Sequence, residues 1–372
     1  MYIHLFLTDS CNLACNYCRG KIFDTPELER DEISIDADIP VDVTYDLSDL
    51  YSYLSRDPGV VVTFIGGEPT LRSDLIIRIM EDLPDTRFMI QTNGLLLHRL
   101  PSDIVNRFDT ILVSIDGDEV TTDAGRGSGT YRRVMTNINH ILANGYVGEI
   151  IARMTVHEPV DILSSVLHLS RNSEYSFSSV HWQIDANFWN DFQIRSFKEW
   201  TETSYLPGIR KLAEEWVSRI EQTGVVERWY PFIDPVEDLL LGRVSRLRCG
   251  SGFANYTVLT NGQISPCPIM VGMADYYLGT IKTADIRNLP DIPVPGACQT
   301  CDIRDLCGGR CLYSAILEPW PLEGREIVCT TVRELFRELS GLLPRIQHLL
   351  DAGVIRMEDF AHEKYNGCEI IP

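Results

Sequence analysis

The chain has 372 residues, 44% hydrophobic and 23% charged, which is typical of globular proteins and excludes disordered, collagen-like and coiled-coil classes. A chain of this length usually folds around more than one hydrophobic core, so we expect at least two structural units. A net charge of −20 argues against nucleic acid as the main partner. The sequence has no long apolar run, which predicts no membrane span, and no signal-peptide pattern, which predicts a cytoplasmic location.

The first half of the chain alternates short β-branched apolar runs with longer amphipathic segments. Six runs are predicted to be strands: Ile3–Thr8, Val60–Ile65, Arg87–Gln91, Thr110–Ile115, Ile150–Val156 and Val180–Ile184. Helical periodicity is clearest at Ser73–Leu83, Tyr131–Ala143 and Val160–Ser170. Because right-handed crossovers curl a parallel sheet, this α/β pattern predicts a partial (β/α)6 barrel, TIM-like but shorter than the complete fold.

The second half begins with a long helical stretch, Ser196–Thr223. After Val225 the helical period fades, and Gly, Pro and Cys become frequent, which predicts a loop-rich unit held together by metal. A last helix is predicted over Val332–Leu350, with a kink or break at Pro344. The predicted domains are 1–225, 226–330 and a C-terminal helix and tail over 331–372.

Three cysteines follow the first predicted strand with the spacing C-x3-C-x2-C: Cys11, Cys15 and Cys18. Loops at the carboxyl ends of parallel strands are where such folds place their chemistry. Three thiolates can hold one 4Fe–4S cluster and leave one iron open to a small molecule. A structural zinc site needs four ligands. His4 is the candidate fourth zinc ligand, but its position inside the strand is poor and favours iron–sulfur.

The run CNLACNYC, with Tyr17 before its last cysteine, resembles the radical S-adenosylmethionine (SAM) superfamily. The resemblance implies that the amine and carboxylate of SAM chelate the open iron of a 4Fe–4S cluster. One-electron cleavage of SAM would then give a 5′-deoxyadenosyl radical, which removes hydrogen from an unactivated C–H bond.

Further motifs of that superfamily follow successive predicted strands. They are Gly66-Gly67-Glu68-Pro69, Gln91-Thr92-Asn93-Gly94, and Ser114-Ile115-Asp116-Gly117 with Arg126 beyond it. By resemblance, the SAM-binding residues are Tyr17, Gly67, Glu68, Gln91, Asn93, Ser114, Asp116 and Arg126. Glu68 would accept from the methionyl ammonium, and Ser114 and Arg126 would hold the carboxylate and ribose side. Taken singly, each polar residue is equally compatible with a turn or a helix cap.

Seven cysteines from Cys249 to Cys329 have a spacing that resembles the SPASM domain, an extension of radical enzymes that modify peptides. The resemblance implies two auxiliary 4Fe–4S clusters, three clusters in all. The outer auxiliary cluster would be bound by Cys298, Cys301, Cys307 and Cys329. The inner one would be bound by Cys249, Cys267 and Cys311. Zinc ribbons also use CxxC pairs, so zinc remains the alternative.

The inner group lacks a fourth cysteine ligand. Some relatives carry an extra cysteine six residues after the first, where this chain has Asn255. We therefore expect an open iron or a ligand that is not one of these cysteines: a substrate group, a tyrosinate such as Tyr256 (or Tyr276 or Tyr277), or Cys368. Core packing of the tyrosines, and a thiol on the terminal tail for Cys368, remain the simpler interpretations.

The predicted function is maturation of a ribosomally made precursor peptide, with hydrogen abstraction followed by intramolecular C–C bond formation (possibly cyclopropane on Val or Ile) or thioether formation. The whole sequence most resembles an archaeal group of peptide-modifying radical enzymes. Sulfatase maturases carry an aspartate just after the second SPASM cysteine, whereas this chain has Pro268, which cannot accept a proton. The alternatives are a non-catalytic iron–sulfur carrier or zinc-ribbon scaffold, and a radical SAM enzyme acting on a small molecule.

Asp185, at the end of the sixth predicted strand, is the candidate substrate contact or proton acceptor, with a turn cap as the alternative. The expected electron donor is a ferredoxin or flavodoxin. Since the first strand starts near the N-terminus, we expect no preceding peptide-recognition domain. A leader peptide would then dock on the barrel or SPASM surface, or be delivered by a separate protein.

Overall fold

The structure, a computed structural model, describes residues 1–18 and 33–367. Its strands in chain order are β1 Tyr2–Phe6, β2 Val61–Ile65, β3 Arg87–Thr92, β4 Phe108–Ser114, β5 Glu149–Val156, β6 Ser179–Ile184, β7 Arg228–Trp229, β8 Asn255–Val258 and β9 Ile264–Ser265. They form one sheet in the order β7-β6-β5-β4-β3-β2-β1-β8-β9. All neighbouring strands are parallel except β8 and β9. The predicted α/β partial barrel is confirmed.

The helices cover the outer face of this sheet and build the C-terminal region. They are α1 Leu47–Leu54, α2 Ser73–Asp82, α3 Ser102–Val105, α4 Glu119–Arg126, α5 Thr130–Ala143, α6 Ile162–Ser170, α7 Phe197–Trp200, α8 Leu206–Thr223, α9 Tyr230–Leu241, α10 Arg304–Cys307, α11 Leu312–Leu317 and α12 Leu322–Asp351. Aspartates at positions 46, 118 and 161 cap α1, α4 and α6 by accepting backbone N–H groups. In the described part of the chain, no helix combines the length and apolarity that a membrane span needs.

The strands are buried on both faces, which explains their nearly continuous apolar sequences. Alternate residues of β1, such as Ile3 and Leu5, pack outward into the main core under the helices. The inward residues Val61, Met89, Leu112 and Ile151 form a separate apolar layer inside the barrel. Beyond this layer, toward the carboxyl ends of the strands, the inward residues are polar and line a cavity.

The strand β8 joins the sheet from the segment that the sequence predicted to start a separate unit. It pairs with β1 in parallel, with Tyr2 opposite Asn255. Thus β1 has β2 on one side and β8 on the other. The loop with the first cysteines and the segment that follows Cys249 are therefore anchored to the same central strand.

Two helices differ from the sequence prediction. The fading period after Val225 suggested loops, but α9 forms there, with Pro231 in its first turn, where the missing N–H is harmless. The final helix begins at Leu322 and continues through Pro344 without a break. The proline removes the hydrogen bond to the carbonyl of Ser340, and Ser340 is exposed, so water can supply the missing donor.

The amino end of the barrel is closed by the C-terminal segment. Glu363 bonds the hydroxyl of Tyr2 and forms an ion pair with Arg87 at 3.1 Å. The carbonyl of Tyr365 accepts from Nδ2 of Asn255 at 2.9 Å. Gly367, the last described residue, reaches the cavity inside the barrel.

Candidate functional site

One cavity of about 310 Å³ runs from the carboxyl ends of the strands past His4 to the segment before β8. Cys11, Cys15 and Cys18 line one part of its wall, and Cys249 and Cys267 line another. The same space therefore borders the first cysteine motif and two of the three cysteines assigned to the inner group.

The two glycines after β2 hold the first cysteine loop in place. A side chain at Gly66 would overlap the carbonyl of Thr8, and one at Gly67 would overlap that of Ser10. The backbone N–H groups of Gly67 and Glu68 donate to these same carbonyls, at 2.8 and 2.9 Å. Only glycine permits this close approach, so the motif clamps the loop in addition to lining the cavity.

Glu68 is fully buried and held by four hydrogen bonds. Its Oε1 accepts from the N–H and hydroxyl of Thr70 and from the hydroxyl of Thr92, at 2.9, 2.6 and 2.8 Å. Its Oε2 accepts from the N–H of Asn93 at 2.7 Å. Burial raises the pKa of Glu68, and these hydrogen bonds oppose the rise. Because Oε2 receives only one of the four bonds, it keeps capacity for a further donor such as an ammonium group.

Gln91 and Asn93 also line the cavity. Nδ2 of Asn93 donates to Oδ1 of Asn12 at 2.7 Å and lies 3.9 Å from Sγ of Cys11. Asn93 therefore connects Glu68 to the cysteine loop. The sequence did not single out Thr70 and Thr92, which orient Glu68, because threonines near a turn carry little signal on their own.

Tyr17, Asp116 and Arg126 form one buried unit. The carboxylate of Asp116 accepts from the Tyr17 hydroxyl at 2.5 Å and from Nε and NH2 of Arg126 at 2.8 and 2.7 Å. The guanidinium lies 5.4 Å from the centre of the Tyr17 ring. Tyr17 and Arg126 line the cavity, whereas Asp116 lies behind them, so its place is that of a positioning residue rather than the predicted cofactor contact.

Ser114 and Arg153 are register partners on β4 and β5, and both line the cavity. NH2 of Arg153 donates to Oε1 of Gln183 at 3.1 Å. An arginine beside a serine hydroxyl suits a carboxylate, because the guanidinium fork can bind both oxygens. The sequence analysis missed Arg153, although a charged residue inside an otherwise apolar strand was an available signal.

His4 faces the cavity below these residues and is 6% exposed. Burial, together with the charge of Arg153, lowers its pKa to about 4, so the imidazole is neutral at pH 7. Among the residues that the structure describes, neither ring nitrogen has a hydrogen-bond partner.

The described cysteines do not have the compact arrangement of a preformed zinc site. Sulfurs that share one tetrahedral zinc lie about 3.8 Å apart, given the Zn–S bond length. Across residues 1–18 and 33–367, no three cysteines, with or without a histidine, have ligand atoms all within 4.8 Å of one another. A cubane binds its thiolates through different irons, so a donor set of three or four cysteine thiolates is compatible with an iron–sulfur cluster.

The inner cysteine trio, Cys249, Cys267 and Cys311, shares an apolar cluster with Phe188 and Met270. Burial raises the pKa of the Cys267 thiol well above its usual range, and Cys311 and Cys249 add to the rise. Metal binding here must therefore release protons.

The outer cysteine group lines a second cavity of about 620 Å³. Its members are Cys298, Cys301, Cys307 and Cys329. Cys329 lies on α12 and is exposed, whereas burial raises the pKa of Cys307 to about 11. Arg333 approaches Sγ of Cys301 at 3.5 Å and also pairs with Asp302. The ten described cysteines form no disulfide with one another.

Arg248 connects the two cysteine groups. It precedes Cys249, and its Nε and NH2 donate to the carbonyl of Leu306, next to Cys307, at 2.9 and 2.7 Å. Its NH1 pairs with Asp234 and Asp238 on α9 at 2.5 and 2.9 Å. His362 and Lys364 of the C-terminal segment bond the same aspartates.

Two predicted site residues lie elsewhere. Alternation along β8 turns Tyr256 into the main core, where its hydroxyl donates to the carbonyl of Pro290 at 3.1 Å, so the suggested tyrosinate ligand does not fit. Asp185 pairs with Arg195 at 3.4 Å, and Gln183, two residues earlier, lines the cavity instead. The hydroxyl of Tyr277 donates to Asp36. Cys368 lies outside the described residues.

Comparisons with known proteins find similarity to one family over the first part of the chain and to several enzymes over most of it. Residues 5–161 match the family model of the Radical SAM superfamily. The mycofactocin maturase MftC of Mycobacterium tuberculosis strain H37Rv is 22% identical over 367 residues, covering 92% of this chain and 86% of that protein.

Two solved structures share the fold. The structure of anSMEcpe with bound AdoMet and Cp18Cys peptide has a TM-score of 0.66 at 16% identity and covers 94% of this chain and 100% of its own. Streptococcus suis SuiB bound to its precursor peptide SuiA has a TM-score of 0.54 at 17% identity, with coverage of 85% and 72%.

Proposed function

We propose that this chain, an enzyme that carries a radical SAM domain over residues 5–161, modifies a ribosomally made peptide by forming an intramolecular bond. The observation that carries the proposal is the single cavity bordered by Cys11, Cys15 and Cys18 and by Cys249 and Cys267. A peptide side chain in this cavity would lie between the two cysteine groups.

When bound at the first motif, a 4Fe–4S cluster and SAM supply a 5′-deoxyadenosyl radical. The residues around that motif bind and orient: Oε2 of Glu68 is available to the methionyl ammonium, and Ser114 with Arg153 offers hydrogen-bond donors to the carboxylate. Tyr17, fixed by Asp116, and the guanidinium of Arg126 form the adjoining wall.

The bond-forming step balances when one hydrogen atom leaves the peptide to the adenosyl group and a second hydrogen leaves as a proton and an electron. A cluster at the inner trio, of which Cys249 and Cys267 border the cavity, would suit the role of electron acceptor, and a cluster at the outer group would suit transfer to an external carrier. We propose three 4Fe–4S clusters in all and a ferredoxin or flavodoxin as the electron donor, in the cytoplasm.

The relatives suggest peptides as the substrate class, since SuiB is described with its precursor peptide SuiA. Formylglycine formation is disfavoured, because Pro268 beside Cys267 lines the cavity where sulfatase maturases use an aspartate. The bond formed, whether C–C (including cyclopropane) or thioether, belongs to the same proposal.

The test is anaerobic reconstitution with SAM, dithionite and peptides encoded beside the gene. We expect 5′-deoxyadenosine and a peptide lighter by two hydrogen atoms, seen by mass spectrometry. Glu68→Gln should weaken SAM binding about tenfold or more, since it removes a charged acceptor. Glu363→Gln, at the closed end of the barrel, is the matched control and should bind SAM normally.

Metal analysis separates the proposal from its alternatives. About twelve irons per chain, with sulfide, support three clusters. Zinc without sulfide would support a zinc-ribbon scaffold and contradict the proposal. 5′-deoxyadenosine formed with a small molecule but with no peptide would show a radical SAM enzyme of another substrate class.

A further inference from the structure

Asn255 has a buried oxygen atom with no hydrogen-bond donor. The residue is 1% exposed and lines the cavity together with Cys249 and Cys267. In the part of the chain that the structure describes, its Oδ1 accepts no hydrogen bond. A buried acceptor without a donor costs free energy, so this atom calls for a partner that residues 1–18 and 33–367 do not provide.

The orientation of the Asn255 amide is fixed by its other end. Nδ2 donates to the carbonyl of Cys249 at 2.6 Å and to that of Tyr365 at 2.9 Å. Exchanging the oxygen and nitrogen would bring Oδ1 against two carbonyl oxygens, which would repel it. Oδ1 is therefore the atom directed away from these carbonyls.

Asn255 is connected to the inner cysteine trio through Cys249. Its Nδ2 bonds the carbonyl of Cys249 itself, and its backbone N–H donates to Gly250 at 2.8 Å. Tyr256, the next residue, faces the opposite side of β8. Asn255 is thus the polar side chain that the start of β8 presents to the cavity bordered by Cys249 and Cys267.

We propose that the carboxamide oxygen of Asn255 is the protein ligand of the iron that Cys249, Cys267 and Cys311 leave unclaimed in the inner cluster. This inference rests on the proposed function, which places a 4Fe–4S cluster at the trio. An amide oxygen is neutral, whereas a fourth thiolate is negatively charged. The inner cluster therefore carries one negative charge fewer than a four-cysteine cluster, which favours its reduction.

An amide oxygen also binds iron more weakly than a thiolate does. A substrate thiolate or carboxylate entering the cavity displaces it, and the Asn255 side chain remains held by its two Nδ2 bonds. The fourth position is thus closed in the resting protein and available to a substrate group.

The test uses the full-length chain with Cys11, Cys15 and Cys18 replaced by alanine, so that signals from the first cluster are removed. The protein is produced with asparagine labelled with ¹³C at the side-chain carbonyl, reconstituted anaerobically and reduced. Electron–nuclear double resonance should detect a ¹³C hyperfine coupling on the inner cluster. Because labelling changes no residue, this measurement does not depend on the folding of an Asn255 variant.

Two substitutions complete the test. Asn255→Ala should abolish the coupling, and Asn255→Cys should lower the midpoint potential of the inner cluster by adding a thiolate. Asn137→Asp, in a buried position on α5, is the control and should leave the coupling unchanged. A reduced inner cluster with no ¹³C coupling in the labelled protein overturns the assignment.

The outcomes also separate this inference from the proposed function. If the trio holds zinc and no sulfide, the proposed function fails together with the inference. If the iron–sulfur cluster is present and the ¹³C coupling is absent, only the assignment of Asn255 fails.

Discussion

The inner and outer cysteine groups differ in both ligand number and surroundings. Cys249 and Cys267 of the inner trio border the cavity, the trio packs among apolar side chains, and the amide of Asn255 bonds the carbonyl of Cys249. The outer group has four cysteines, an exposed member in Cys329, and Arg333 near Cys301. Under the proposed function this difference implies distinct roles: the three-cysteine site would face substrate, and the four-cysteine site, with its exposed member, would exchange electrons with an outside carrier.

The largest expected effect comes from removing one cysteine from each group. Cys267→Ala should abolish the peptide product while SAM cleavage continues, because the first motif is intact and the acceptor near the substrate is lost. Cys301→Ala should instead lower the rate of product formation over multiple turnovers severalfold and leave the product yield of the first turnover unchanged. Single- and multiple-turnover assays with iron analysis check this. Equal effects of the two substitutions would contradict the division of roles.

Arg248 joins the two groups, and its loss should affect both. Arg248→Met removes the fully buried cation from Asp234 and Asp238 and leaves them Lys364 and His362 as partners, so it should destabilise the protein by up to about 3–5 kcal/mol. Anaerobic urea unfolding measures this, and iron retention at both groups should fall. Arg248→Lys keeps the charge but not the bonds to the Leu306 carbonyl, and should recover part of the stability. An unchanged unfolding midpoint in the methionine variant would refute the link.

The same network predicts a pH dependence. Burial lowers the pKa of His362, but the hydrogen bond and negative charge of Asp234, together with the Phe360 carbonyl and Glu237, outweigh burial and raise the pKa above 6.5. The protonated His362 therefore contributes about 1 kcal/mol to the free energy of unfolding below pH 6.5, and this contribution is lost as the pH rises through the pKa of His362 in the folded protein. Asp234 acts in the opposite sense: its pKa lies well below 3.8, so its contribution is lost only in acid. In His362→Gln, the free energy of unfolding measured by urea titration should decrease less above pH 6.5 than it does in the unsubstituted protein.

The smallest predicted effect concerns the outer group alone. Arg333→Met removes a donor near Sγ of Cys301 and a positive charge, so the reduction potential of the outer cluster should fall. The inner potential and the overall stability should change little, because the ion pair with Asp302 is exposed. Potentiometric titration followed by electron paramagnetic resonance distinguishes the two clusters. A shift confined to the inner cluster would show that the groups were assigned in reverse.

Sequence patterns predicted much of the barrel, because buried β-branched runs and motif glycines have local physical causes. Gly67, for instance, is required by contact with Ser10, and its motif marked the position correctly after β2. The strand β8 was missed because it has only four residues, and its place beside β1 depends on contacts distant in sequence. The helix α9 was missed because Pro231 and Pro235 are read as breakers unless the first turn is known.

Site chemistry was less predictable at the level of single atoms. The resemblance could nominate Asp116, but only tertiary contacts show that its carboxylate is shared by Tyr17 and Arg126. Similarly, the sequence marked Asn255 as the residue at a position where some relatives have a cysteine. The orientation of its amide, however, depends on the carbonyl of Tyr365, which accepts from Nδ2 and is more than a hundred residues away in the chain.

The strand β1 sets the distance between the two redox regions. The first cysteine loop leaves β1 after Thr8, and Asn255 sits opposite Tyr2 at its other end, a span of about 20 Å at the rise of a β-strand. Electron tunnelling falls exponentially with distance, and no hinge shortens a rigid strand. If both cysteine groups hold clusters, this separation would slow the direct return of an electron from the inner site to the first.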